Sequence, residues 1–263
     1  MTTINVAVPT YYKSGITKSR HGDLIGVLLP TYCEAENIGS LIREIKKLNL
    51  NLMIAVVDDS SPDGTSRIVK CLQKKFSNIH FISRTRKLGL GTAIVTGFKF
   101  FLNLNKPPDY IITMDSDYSH NPNDITQLVD IARRGNDLVI GSRYVDGGAL
   151  ENWPLKRRII SRFANVIAAF IIGRRIKDCT SGFRCYSKTY VEKVLPTLHS
   201  TTYEIQIETL RQAKLNHFKV KETPITFTDR KKGKSKLSKD EVRGFLTYIG
   251  KSWLANLLFP RRS

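Results

Sequence analysis

The chain has 263 residues, 41% of them hydrophobic, and its 42 Lys and Arg outnumber 23 Asp and Glu, for a formal net charge of +19. That length suits one large α/β domain or two small ones, and the ordinary apolar fraction places the chain among soluble globular proteins. The charge surplus asks for an anionic partner, whether nucleic acid, nucleotide, phospholipid surface or phosphorylated substrate, without choosing among them.

Met1 to Asp23 shows no clear period and reads as a polar arm. The short apolar run IGVLLP (Ile25–Pro30) is followed by helical spacing over Ala35 to Leu48, through Ile38, Leu41, Ile42 and Ile45. The alternation then repeats: LMIAVVDD (Leu52–Asp59), a helix over Thr65 to Phe76, IHFIS (Ile79–Ser83), a helix over Thr92 to Leu104, and YIITMDSD (Tyr110–Asp117). Asn121 as N-cap, Pro122 at the first helical position and Asp124 in the first turn predict a fourth helix. DLVIGSR (Asp137–Arg143) is a fifth strand. Strands alternating with helices predict a parallel, doubly wound sheet, and runs apolar on both faces fit it.

Beyond Arg143 the order loosens into a turn at Gly147–Gly148, basic helical stretches and FKVKETPITFTDR (Phe218–Arg230). Arg230 to Lys239 holds six basic residues with Gly233 and Ser235, the composition of a mobile loop. No segment approaches the roughly 18–20 uncharged apolar residues needed to span a bilayer. FANVIAAFIIG (Phe163–Gly173) is short and bounded by Arg162, Arg174 and Arg175, and Phe245 to Phe259 carries Lys251. Both are open to two readings: buried core helices, or helices lying on a membrane surface where Arg and Lys meet lipid phosphates. None of Cys33, Cys71, Cys179 and Cys185 forms a C-x-x-C pair, so zinc-ribbon and thioredoxin readings fail. With no secretory signal at the N-terminus, reduced thiols in a cytosolic setting are expected.

Open parallel sheets bind ligands beyond the carboxyl ends of their strands. Polar clusters stand there in order: Pro30, Tyr32 and Glu34; Asp58, Asp59, Ser60 and Asp63; Arg84, Arg86 and Lys87; Asp115 and Asp117; Arg143. A D-x-D pair alone is a weak signal, but after an apolar strand it suits Mg²⁺, which binds through one or two carboxylates plus substrate phosphates. Basic clusters that accompany carboxylates are what nucleic acid would avoid, so nucleic acid is not an expected partner.

The segments LLPTYCEAENI, VVDDSSPDGT, LGLGTA, MDSDYSH, GSRYVDGG, NWPLKRRIIS, TSGFR and RKKGKSKL resemble, in this order, those of dolichyl-phosphate mannose synthases, inverting glycosyltransferases of family 2. The likeness runs from Ile25 to Leu246. It implies a GT-A α/β fold: a Rossmann-like, mostly parallel central sheet flanked by helices, with C-terminal amphipathic helices. The implied organisation is an arm over 1–23, a catalytic domain over 24–246 and a helix or tail over 247–263. Pro30, Tyr32, Glu34, Val57 and Asp59 resemble the guanosine pocket. Asp115, Ser116 and Asp117 resemble the metal and diphosphate site, with Ser119 as a further metal contact and Mg²⁺ or Mn²⁺ as cofactor. Arg143, Arg157 and Ser161 resemble the acceptor-phosphate cradle, and Arg230 and Lys236 the donor-diphosphate clamp. The implied catalytic set is Asp117, Arg143, Arg157 and Ser161.

The resemblance implies transfer of mannose from GDP-mannose to dolichyl or polyprenyl phosphate, with a UDP-glucose-dependent sister enzyme as the alternative. It also implies a peripheral place on the cytosolic face of a membrane, with small hydrophobic anchor subunits as partners. The chemistry agrees. A polyprenyl phosphate is already anionic near neutral pH, its second pKa being about 6, so no strong general base is needed. His120, near the aspartates, is accordingly read as structural or as a support behind the site residues. A processive polysaccharide synthase is set aside because the chain has no Q-x-x-R-W motif.

Overall fold

The computed structural model describes residues 22–172 and 176–230, with 244, 247, 248 and 250 as isolated positions and residue 171 as backbone only. The arm up to residue 21, residues 231–239 with Lys236, and most of the 247–263 tail lie outside the described residues.

The five predicted strands form as β1 (Ile25–Thr31), β2 (Leu52–Asp58), β3 (Ile79–Ser83), β4 (Tyr110–Thr113) and β5 (Leu138–Ser142). Between them lie α1 (Ala35–Ile45), α2 (Thr65–Lys75), α3 (Leu90–Leu102) and α4 (Asp124–Ala132). Several boundaries differ from the sequence reading; α1, for one, ends at Ile45 and not at Leu48, and α3 at Leu102 and not at Leu104. β4 stops at Thr113, so both aspartates leave the ladder and stand in a loop. α3 starts at Leu90, before the expected Thr92, because Gly89 takes φ +95° and its carbonyl accepts the Ala93 N–H. α4 starts at Asp124, and Asn121 closes the turn before it: its Oδ1 accepts the Asn123 N–H at 3.1 Å.

Beyond β5 come β6 (Ala149–Glu151), α5 (Leu155–Ile172), β7 (Arg184–Ser187), α6 (Lys188–Val194), a 3₁₀ turn (Leu195–Thr197), α7 (Ile205–Leu215), β8 (Val220–Pro224) and β9 (Thr226–Thr228). The seven-stranded sheet has the order β3-β2-β1-β4-β7-β5-β8. Every neighbouring pair is parallel except those of β7, which runs antiparallel between β4 and β5. β6 and β9 make a separate parallel pair. The four residues RCYS are too few to show a period, so the sequence pattern does not announce β7.

One apolar layer joins the sheet to α1, α2 and α4; the other joins it to α3, α6 and α7. Arg184 is wholly buried in the second region. Its guanidinium donates to the carbonyls of Ser181, Cys179 and Gln206 and to Thr209 Oγ1, all within 2.8 Å. That satisfied cation pins the loop before β7 to α7. Cys179 and Cys185 are buried thiols, and burial pushes Cys179 up to about 12.

α5 corrects the core reading of Phe163–Gly173. Only Asn165, Ala168 and Ile172 of its described side chains are buried, while Leu155, Ile159, Ile160, Phe163, Val166 and Phe170 are 59–80% exposed. Among the described residues no helix is long and apolar enough to cross a membrane.

Candidate active site

Five parallel strands point their carboxyl ends at one edge, and the loops leaving them are bent sharply there. Cys33 after β1, Ser60 after β2 and Tyr118 after β4 all take left-handed backbone, with φ of 56°, 56° and 63°. Such conformations cost of order 1 kcal/mol or more each and concentrate at functional sites. Side chains hold the bends: Ser61 Oγ accepts the Cys33 N–H at 2.8 Å and donates to Asp58 Oδ1 at 2.5 Å. Between the loops opens a cleft walled by Pro30, Tyr32, Glu34, Asp59, Lys87, Asp115, Ser116, Asp117, Tyr203 and Arg230.

On one side of the cleft, Lys87 lies 5.1 Å from the Tyr32 ring centroid. Asp59 pairs with the buried Arg84, and its Oδ2 accepts the Leu88 and Gly89 N–H groups at 3.0 and 3.3 Å. Arg84 in turn donates to Gly89 O at 3.0 Å, so Asp59 and Arg84 together hold the LGLG turn at the start of α3. Glu34 is buried and accepts from Asn37 Nδ2 at 2.8 Å. Val57 is placed elsewhere: its side chain is fully buried in the apolar layer beneath α3 and forms no part of the cleft wall.

The two aspartates stand at the cleft floor in unequal states. Ser119 donates both its N–H and its hydroxyl to Asp117 Oδ1, and Arg230 Nη2 reaches Asp117 Oδ2 at 2.9 Å. Burial pushes the Asp117 pKa up, but these donors outweigh it and hold the carboxyl below its ordinary range. Asp115 lacks such donors among the described residues; burial and the Asp117 charge raise it to about 7. Its neighbour Gly182 leaves room for it, since a Cβ there would lie 3.3 Å from Asp115 Oδ1. Ser116 turns away and donates to Pro30 O at 3.0 Å.

His120 Nδ1 accepts the Asp115 N–H at 3.3 Å while the ring stacks 4.9 Å from Phe183 and meets Phe227 edge-on. Burial pushes it down to about 4, so the imidazole is neutral and its lone pair is spent on the backbone.

Two carboxylates with surplus negative charge suit a hard divalent cation, and the guanidinium on Asp117 shows that the spot favours positive charge. Among the described residues no group of three or more His, Cys, Asp and Glu could hold a metal ion, so phosphate and water oxygens would have to complete the shell.

A second cluster lies beside the first. Arg143 grips Asp178 by two bonds of 2.7 Å, Nε to Oδ2 and Nη2 to Oδ1, and also donates to Thr180 Oγ1 at 2.7 Å. Burial works against the Arg143 charge, but the Asp178 carboxylate outweighs it and raises the pKa. Two guanidiniums lie near the Trp153 ring, with Arg157 4.1 Å and Arg143 5.7 Å from its centroid. Arg157 also pairs with Asp229 at 2.8 Å. Ser161, one helical turn on from Arg157 along α5, accepts from the Tyr144 hydroxyl at 2.8 Å. Arg143, Arg157 and Ser161 are thus gathered around the Tyr144 and Trp153 rings.

Residues 26–195 match the family described as Glycosyl transferase family 2. The chain belongs to this family. It is 39% identical over 219 residues to "Polyprenol monophosphomannose synthase" of Mycolicibacterium smegmatis, covering 82% of each chain. It is 38% identical over 229 residues to "Dolichol-phosphate mannosyltransferase" of Pyrococcus furiosus, covering 86% of this chain but 62% of that longer protein. Among solved structures, glucosyl-3-phosphoglycerate synthase from Mycobacterium tuberculosis in complex with Mn²⁺, UDP and glucosyl-3-phosphoglycerate superposes with a TM-score of 0.62 at 19% identity, over 97% of this chain and 85% of that one. The likeness establishes a GT-A-like α/β fold, as the sequence resemblance implies.

In this family 2 glycosyltransferase, several residues beside the cleft had no role in the sequence reading. Asp178 and Asp229 neutralise Arg143 and Arg157 from 35 and 72 residues away, and no local pattern announces such partners. Trp153 and Tyr144 do lie inside the quoted segments NWPLKRRIIS and GSRYVDGG, so their aromatic character next to arginines was the available signal.

Proposed function

We propose that this enzyme transfers mannose from GDP-mannose to a polyprenyl or dolichyl phosphate with inversion, forming a β-mannosyl phospholipid and GDP. The observation that carries the reading is the juxtaposition of two sites: a carboxylate pair with a resident arginine, and beside it two guanidiniums close to the Trp153 ring. Bringing a donor diphosphate and an acceptor phosphate together requires cations on both sides. The names of the two curated relatives support the mannosyl donor and the lipid-phosphate acceptor.

In this reading Pro30, Tyr32, Glu34 and Asp59 receive the nucleoside. Arg230, with Lys236, clamps the diphosphate. Asp115 and Asp117 would hold Mg²⁺ or Mn²⁺, with Ser119 orienting Asp117; the ion when bound supplies positive charge to the departing diphosphate. Arg143, Arg157 and Ser161 seat the acceptor phosphate. A phosphate oxygen attacks the anomeric carbon in line, the new C–O bond forms as the bond to the diphosphate breaks, and GDP departs. The acceptor is above its second pKa of about 6, so no base need be found. The neutral, backbone-bound His120 fits that requirement.

The exposed side of α5 supports a reaction at a lipid surface. Its exposed apolar stripe is flanked by Lys156, Arg158 and Arg162, and Arg157 and Ser161 sit on the same helix.

The test is transfer of radiolabel from GDP-mannose and, in parallel, UDP-glucose to a short polyprenyl phosphate with Mg²⁺ or Mn²⁺. Mannose should move to the organic phase and glucose should not. Transfer from UDP-glucose alone would overturn the donor assignment.

A further inference from the structure

The two halves of the site are joined by two consecutive residues. Arg230 covers Asp117, the proposed metal-binding carboxylate, through Nη2 to Oδ2 at 2.9 Å. Asp229 covers Arg157, the proposed acceptor cation, through Oδ1 to Nη1 at 2.8 Å. The same Asp229 Oδ1 also accepts the Arg230 backbone N–H at 3.1 Å. One carboxylate oxygen therefore serves both the acceptor-side arginine and the backbone of the donor-side arginine. The segment is tied to both banks just before this point: the Thr228 N–H donates to Ser119 O at 3.1 Å, and the Asp229 N–H to Glu151 O at 3.0 Å. Phe227 packs against both His120 and Trp153, with centroids 5.1 and 5.3 Å away.

Each covering contact competes with a ligand. A divalent cation needs the Asp117 oxygen that Arg230 occupies. A phosphate needs the Arg157 edge that Asp229 occupies. When a cation and a diphosphate take the donor side, the guanidinium of Arg230 exchanges Asp117 for the diphosphate. The Arg230 amide moves with it, and the hydrogen bond that helps fix Asp229 Oδ1 against Arg157 is disturbed. Resting on the function proposed above, we propose that Asp229 is a positioning residue that couples the two sites: it masks Arg157 while the donor site is empty and releases it when the donor and its cation are bound. The acceptor phosphate is thereby favoured second. Because such coupling is reciprocal, the acceptor phosphate must strengthen donor binding by the same factor.

The consequence is chemical order. With Arg157 masked, an arriving anion meets a neutralised pair, so inorganic phosphate has less hold on the empty enzyme. With the donor seated, the uncovered Arg157 faces the place where the nucleophile must stand.

The test uses farnesyl phosphate as a soluble acceptor probe, GDP with Mn²⁺ as the donor-side probe, and calorimetry on the full chain. In the native enzyme GDP–Mn²⁺ should tighten farnesyl phosphate binding by about tenfold, within the usual span of coupling between sites. Asp229→Asn, which keeps the shape but drops the charge, should bind farnesyl phosphate tightly without GDP–Mn²⁺ and lose most of that coupling. Arg230→Gln should bind Mn²⁺ alone more tightly, read by electron paramagnetic resonance, because its internal competitor is gone; this measurement stands even where Asp229→Asn folds poorly. Farnesyl phosphate binding that ignores GDP–Mn²⁺ in the native enzyme, or full coupling in Asp229→Asn, overturns the proposal while leaving the function standing. Failure of GDP–Mn²⁺ to bind at all overturns the function and this coupling together.

Discussion

His120 follows Asp117 closely in the chain, yet its environment makes it a poor proton carrier. Its ring is boxed by Phe183 and Phe227, its Nδ1 accepts a backbone N–H, and burial lowers it from 6.5 to about 4. Between those two values the unfolded chain takes up a proton that the folded chain refuses. The stability conferred by neutral His120 is therefore present above pH 6.5 and is lost as pH falls toward 4, by about 3 kcal/mol in full. Asp115 acts with the opposite sign: raised from 3.8 to about 7, it holds a proton in the folded state that the unfolded state has released. The readout is therefore the difference between native enzyme and His120→Gln. Denaturant titrations at pH 7 and pH 4.5 should show the native enzyme losing about 2 kcal/mol more than the variant. Parallel losses would mean that His120 is not held neutral by burial. The reading of His120 as structural was available from the chemistry of a phosphate nucleophile; the aromatic box around it was not, because Phe183 and Phe227 lie far along the chain.

At the scale of elements, α5 departs from an ordinary surface helix. Leu155, Ile159, Phe163, Val166 and Phe170 recur at spacings of three and four, which puts them on one face, and that face is 61–80% exposed. Apolar surface of this extent marks a contact with something apolar, and the neighbouring Lys156, Arg158 and Arg162 favour an anionic lipid surface. Replacing Phe163 and Phe170 by Ser should reduce binding to phosphatidylglycerol-containing vesicles by at least about tenfold, given about 1.5–3 kcal/mol for each buried Phe. The melting temperature should barely change, since neither ring is in the core. Unchanged sedimentation with vesicles would remove α5 from the membrane contact. The sequence left this helix open between core and interface because its composition serves both; only its setting against Ala168 and Ile172 decides which face is outward. The strands β1 to β5 were legible because runs such as Ile25–Pro30 are apolar at every position, as a sheet covered on both faces requires. β7 was not, because its place between β4 and β5 depends on pairing with residues more than 40 positions distant.

At the scale of the whole molecule, the parallel strands bring segments from Pro30 to Arg230 to one edge, and the electrostatics of that edge are arranged in covered pairs. Asp59 with Arg84, Asp117 with Arg230, Arg143 with Asp178 and Arg157 with Asp229 each set a carboxylate against a guanidinium. The residue types at strand ends were readable from the sequence, and most of the expected site residues do converge on the cleft. Which charge covers which was not readable, because those pairings are set by the folded geometry and not by local spacing. The proposed role of Asp117 is to serve a cation on the leaving diphosphate and not the packing of the fold. It is tested most directly by radiolabelled mannose transfer from GDP-mannose to polyprenyl phosphate, comparing the native enzyme with Asp117→Asn at matched melting curves. Label should appear in the organic phase with the native enzyme and fall by roughly a hundredfold or more with the variant. Transfer at the native rate by a normally folded Asp117→Asn enzyme would contradict it.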